Sequence, residues 1–167
     1  RGPKNSPFHT PKSLFAAADR LGMRKMLERA CRETIFRDFA RLHLPGKLFI
    51  NASPDSLEDE SFINGSTGNL LAQLGLNPNR VVIEITENQH INDFPGIHQA
   101  IAQLRSLGYQ IAIDDLGEGF ANLRMWSEIH PDYVKIDRHF VDGIAEDSLK
   151  HHFVKAMQNL AESCSAT

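Results

Sequence analysis

Short apolar runs alternate along this chain with longer stretches whose apolar residues recur every three or four positions. Residues 1–10 are punctuated by Gly2, Pro3 and Pro7 and read as loop. Thr10-Pro11 then has the form of a helix start, a capping threonine followed by proline in the first turn. Leu14, Phe15, Ala18 and Leu21 continue at helical spacing as far as Gly22. A second helix is predicted from about Met23 to Arg41, with Met23, Leu27, Ala30 and Thr34 on one face, and Pro45-Gly46 stops it. Lys47-Leu-Phe-Ile-Asn51 reads as a strand, and Thr67 to Leu74 as a helix. A second, very β-branched strand runs from Val81 to Glu87. Asp93 opens a helix with Ile97, Ala100, Ile101 and Leu104 on one face, closed by Gly108. The third strand, from Gln110, ends in Asp114-Asp115, and a helix through Trp126 follows. Pro131 to Asp137 is the fourth strand, and Leu149, Phe153, Ala156, Met157 and Leu160 line a last amphipathic helix.

Helix and strand thus alternate, with four short apolar strands. That order predicts an α/β fold whose parallel sheet is covered by helices, either a barrel or a doubly wound sheet. At 167 residues the chain is one domain or less, here taken as residues 1–167. A net charge of −3 excludes the basic excess of a nucleic-acid-polymer binder. No apolar run approaches the roughly 20 residues of a membrane span, and the N-terminus lacks the apolar core of a signal peptide. Cys31 and Cys164, far apart and without a metal-ligand spacing, read as reduced thiols of a cytoplasmic protein.

Each strand carries an unusual polar group near its C-terminal end: Asn51, Glu84 with Glu87, Asp114-Asp115, and Lys135 with Asp137. In α/β sheets and barrels those ends share one rim, where sites are built. Glu84 inside Val-Val-Ile-Glu-Ile and Lys135 between Val134 and Ile136 are costly to bury singly, and a carboxylate cluster would hold the lysine charged. Strict alternation sends Asp114 and Asp115 to opposite faces, whereas a strand turning at its end aims both at one point. A solvated Asp-Asp capping the next helix is the plain alternative, as turn capping is for Asn51, loop anchoring for Glu87 and helix capping for Asp137. An all-oxygen donor set favours Mg²⁺ or Mn²⁺ over zinc, and paired aspartates suit a two-metal phosphodiester site.

Taken together, Phe49-Ile-Asn51 with Ser53, Val82-Ile-Glu84-Ile-Thr-Glu87, Ile113-Asp114-Asp115-Leu-Gly-Glu-Gly-Phe120 and Pro131-Asp-Tyr-Val-Lys135-Ile-Asp137 resemble the EAL domain, the bacterial cyclic di-GMP phosphodiesterase, over essentially the whole chain. Asp19 stands where that family usually has Glu. The resemblance implies a (β/α)8 barrel of TIM type and hydrolysis of cyclic di-GMP to linear pGpG. By the same resemblance Asn51, Glu84 and Asp114 are metal ligands, and Asp115 binds the second metal. Lys135 orients or polarises the attacking water, and Glu87 anchors the loop after Asp115. Arg1 and Asp137 contact substrate. The resemblance also implies a homodimer or higher oligomer and accompanying regulatory or GGDEF-type domains.

Leu116, Glu118 and Ala121-Asn122 depart from the family's loop but leave the ligands intact. The Glu-Ala-Leu motif would precede Arg1, and a further catalytic Glu would follow Thr167. The expectation is therefore a partial barrel of about four strands, truncated at both ends, oligomeric and without phosphodiesterase activity of its own. The competing expectation is a catalytically silent domain that binds cyclic di-GMP or a protein partner.

Overall fold

A computed structural model describes residues 2–57, 59, 62, 65–86, 94–117 and 121–167. Two helices come first, α1 (Pro11–Arg20) and α2 (Arg24–Arg41), then strand β1 (Leu48–Ala52) and the short α3 (Pro54–Leu57). Helix α4 (Ser66–Gln73) leads to β2 (Val81–Thr86), α5 (Phe94–Ser106) to β3 (Gln110–Leu116), and α6 (Ala121–Ile129) to β4 (Tyr133–Ile136). A single turn, α7 (Arg138–Val141), and α8 (Ser148–Ser163) complete the chain. Thr10 caps α1 as its sequence predicts, its hydroxyl accepting from the Ser13 amide.

The four strands form one parallel sheet in the order β1-β2-β3-β4. Parallel neighbours in sequence order, joined through helices, are the βα repeat from which eight-stranded barrels are built. Pairing of Asn51 with Glu84 and of Glu84 with Ala112 sets the register. One face of the sheet therefore carries Ile50, Ala52, Val81, Ile83, Ile85, Ile111 and Ile113, all buried. They join Phe36, Phe39, Leu57, Leu71 and Leu104 from the helices in one hydrophobic core. The other face presents Phe49 and Asn51, both exposed, and the rim residues described below.

The α5 face predicted from its spacing is the buried one: Ile97, Ala100, Ile101 and Leu104 are all in the core. Helix α2 differs. Its buried stripe is Glu28, Arg32, Phe36 and Phe39, whereas Met23 is 42% exposed and Ala30 and Thr34 face solvent. The expected apolar face instead borders an open groove against α1, lined by Leu14, Ala17, Leu21, Met26 and Leu27. Helix α8 also leaves much of its expected face outside, with Leu149, Phe153 and Leu160 exposed and contact made through Met157 and Ala161. Among the described residues no helix is long and apolar enough to cross a membrane. Both cysteines are free thiols.

Candidate functional site

The site grows from strand register. Asn51 and Glu84 are direct partners on adjacent parallel strands, so their side chains leave the same face about 4.8 Å apart. Glu84 is 5% exposed, a carboxylate sunk among Val82, Ile83 and Ile85. Burial of such a group requires a countercharge, and Lys135 of β4 supplies it. The Lys135 ammonium lies 2.8 Å from Glu84 Oε1 and 2.7 Å from Asp114 Oδ1. Burial pulls the lysine pKa down, but the hydrogen bonds to Asp114 and Glu84, with their negative charge, outweigh it and raise the pKa above the ordinary lysine value.

A bulge stands where the strand reaches that lysine. Ile113 pairs with Val134 and Leu116 with Ile136, so two residues of β3, Asp114 and Asp115, stand opposite the single Lys135. Asp115 absorbs the extra residue in the left-handed region, at φ 56°, a conformation that aspartate tolerates better than most side chains. The turn at the end of the strand is thus real, and strict alternation stops at Asp114. The bulge also returns Leu116 to the core side, where it is 1% exposed. Just beyond it, Gly117 has φ 110°, and a Cβ there would lie 2.3 Å from the Phe140 ring of α7.

Asp137 caps α7, its Oδ1 accepting from the His139 amide at 2.7 Å, which is the capping role left open by sequence. Glu87 and Arg1 lie outside the described residues. Among the described residues no three His, Cys, Asp or Glu side chains gather around one point; the third oxygen beside Glu84 and Asp114 is the amide of Asn51. These are hard donors, and the two carboxylates already converge on one cationic atom, so the set fits a divalent cation such as Mg²⁺ or Mn²⁺.

Sequence reasoning passed over a buried cluster behind this rim. Glu28 accepts hydrogen bonds from Ser53 Oγ at 3.0 Å, from Ser56 Oγ, and from Arg24 Nε at 2.8 Å. Its signal was visible: a glutamate in register with Arg32, Phe36 and Phe39 on one stripe of α2.

The comparisons with known proteins agree with this geometry. The chain is 37% identical over 134 residues to the probable cyclic di-GMP phosphodiesterase PdeN of Escherichia coli K12, covering 78% of this chain and 26% of PdeN. It is 38% identical over 102 residues to the cyclic di-GMP phosphodiesterase TpdA of Vibrio parahaemolyticus, covering 60% of this chain and 17% of TpdA. Its fold superposes on the manganese and cyclic di-GMP complex of Klebsiella pneumoniae BlrP1 with a TM-score of 0.84 at 29% identity, covering 95% of this chain and 40% of that one. The chain therefore spans well under half the length of these proteins. The family profile of the EAL domain matches residues 2–167, and this chain belongs to the EAL domain family.

Proposed function

We propose that this chain carries the metal-binding side of a cyclic di-GMP phosphodiesterase, the protein that contains it hydrolysing the cyclic dinucleotide to linear pGpG. The observation that carries the reading is the convergence of Glu84 and Asp114 on Lys135, beside Asn51, at the rim where the strands end. PdeN and TpdA bear phosphodiesterase names, and the BlrP1 complex holds manganese with cyclic di-GMP. In this reading Asn51, Glu84 and Asp114 hold one Mg²⁺ or Mn²⁺, and Asp115 contributes to a second. Such ions supply Lewis acidity toward the phosphodiester and lower the pKa of water.

The chain's own residues do the rest. Glu84 and Asp114 bring negative charge to the rim, and their burial leaves it poorly screened. Lys135, 45% exposed and held by both carboxylates, presents an ammonium that orients the attacking water and faces charge developing on the phosphate. Arg1 and Asp137 are assigned to substrate contact and Glu87 to anchoring the loop after Asp115. The reading extends to one domain over residues 1–167 in a cytoplasmic, dimeric protein with regulatory domains; the free thiols of Cys31 and Cys164 accord with a reducing compartment.

The test is turnover of cyclic di-GMP by the full-length protein with Mn²⁺ or Mg²⁺ and after chelation. Metal-dependent release of pGpG is expected. Turnover indifferent to chelation sinks the metal assignment, and tight binding of cyclic di-GMP without hydrolysis makes the protein a receptor.

A further inference from the structure

Glu28 makes none of the contacts that a substrate-side residue would make. It sits on α2, 9% exposed, behind the sheet. Its Oε2 accepts from the Ser53 and Ser56 hydroxyls, which also bond to each other at 3.0 Å, and the Ser53 amide stands 3.5 Å away. Its Oε1 accepts from Arg24, whose Nη1 is held in turn by both oxygens of Asp19 at 3.0 and 2.9 Å. Ser53 and Ser56 are themselves buried. A buried carboxylate is a poor way to pack a helix on a sheet, since an apolar residue of similar volume does it without desolvating a charge. What the carboxylate adds is direction. It grips the chain at the first residue after β1, two residues beyond Asn51.

We propose that Glu28 is a positioning residue for the metal centre: it fixes the chain where β1 ends and so holds the Asn51 amide beside Glu84. This rests on the ligand reading above. The structural relation is that of an outer partner to a ligand, whose loss typically weakens metal binding by about 10–100-fold. The arm from Asp19 through Arg24 sets the carboxylate's own orientation, so the clamp runs without interruption from the end of α1 to the end of β1.

The experiment is Mn²⁺ titration of the full chain, followed by the electron paramagnetic resonance of free Mn²⁺, with circular dichroism melting on the same samples. Glu28→Ala is expected to weaken Mn²⁺ binding about 10–100-fold. Glu28→Gln, whose amide oxygen still accepts from the serines, is expected to stay within about threefold. If Glu28 acts through Asn51, the Asn51→Ala/Glu28→Ala pair binds no more weakly than Asn51→Ala alone. Unchanged affinity in folded Glu28→Ala, or full additivity in the pair, overturns the inference and leaves the ligand set standing. If Glu28→Ala does not fold, Ser53→Ala decides instead: weakened binding supports the clamp and unchanged binding overturns it. Unchanged affinity in Asn51→Ala, or no Mn²⁺ binding by the unaltered chain, defeats the ligand reading and this inference with it.

Discussion

Two lysines stand at opposite ends of the same face of the sheet, and each reaches across a strand. Lys135, toward the C-terminal end, crosses from β4 to Asp114 on β3 and Glu84 on β2. Lys47, just before β1, crosses to Gln110 Oε1 at the start of β3 and to the Tyr133 hydroxyl, 2.5 Å away, at the start of β4. The spans are alike and the acceptors are not. Lys47 meets neutral oxygens at an exposed edge, where Phe49 also packs edge-on against Tyr133 at 5.3 Å. Lys135 meets two carboxylates, one of them almost wholly buried. A lysine bonded to neutral groups ties strands together. A lysine bonded to buried carboxylates marks a place where charge is kept for use. The contrast follows the division of labour in βα barrels, chemistry at the C-terminal rim and stability at the other.

The sharpest way to break the contrast is at the carboxylates. Glu84→Gln or Asp114→Asn should weaken Mn²⁺ binding by more than about 100-fold, beyond the loss of an outer partner, and metal-dependent turnover should go with it. Normal Mn²⁺ affinity in both variants would sink the ligand assignment. Lys135→Ala should instead keep Mn²⁺ affinity within a few-fold while turnover drops about 10²–10³-fold, the range of a lost proton-handling or orienting group.

Lys135 also leaves a pH signature in the metal-free chain. Its folded pKa is raised, so the stability it contributes is present below the ordinary lysine value of about 10.4 and fades as pH rises through the folded value. The melting gap between wild type and Lys135→Ala should hold from neutral pH to about pH 9 and close above about pH 10.4. At 45% exposure the ammonium is well solvated, so the gap should be no more than about 1 kcal/mol and shrink with salt. A gap that widens with alkali would contradict the ion-pair geometry.

Gly117→Ala tests the loop leaving the charged rim. Strain at φ 110° and the clash with Phe140 should lower stability by about 1–3 kcal/mol, seen as a melting temperature several degrees lower. The smallest effect belongs to Lys47→Met, expected within about ±0.5 kcal/mol of wild type and with Mn²⁺ affinity unchanged. A change in metal affinity there would erase the distinction between the two ends.

Much of this was legible in the residues. Strand order and the α5 face follow from apolar spacing, and the Glu84–Lys135 pairing follows from the price of burying either alone. Helix α2 departs from its apolar spacing because its buried stripe includes Glu28 and Arg32, while its apolar residues lie on the other side, toward α1. Spacing places Glu28 on the stripe of Arg32, Phe36 and Phe39, but the partners it finds on folding, Ser53 and Ser56, leave no mark in that spacing. The face of α8 stays exposed at Leu149, Phe153 and Leu160 for a related reason: amphipathic spacing shows that a face wants cover, not that cover is there.

The bulge at Asp114-Asp115 has one more consequence. A strand keeps time in two beats, one residue inward and one outward, and here two identical residues occupy a place where the neighbouring strand spends one. Remove either aspartate and the resulting polypeptide is the same, Ile-Ala-Ile-Asp-Leu-Gly. That shortened strand could pair with β4 without interruption, and plain alternation from Ile113 would still turn its leucine to the core and its single aspartate to the open face, but one carboxylate would be gone. The bulge thus fits a second carboxylate at the rim without moving Leu116 from the core, and losing it should cost the rim while leaving the core in phase.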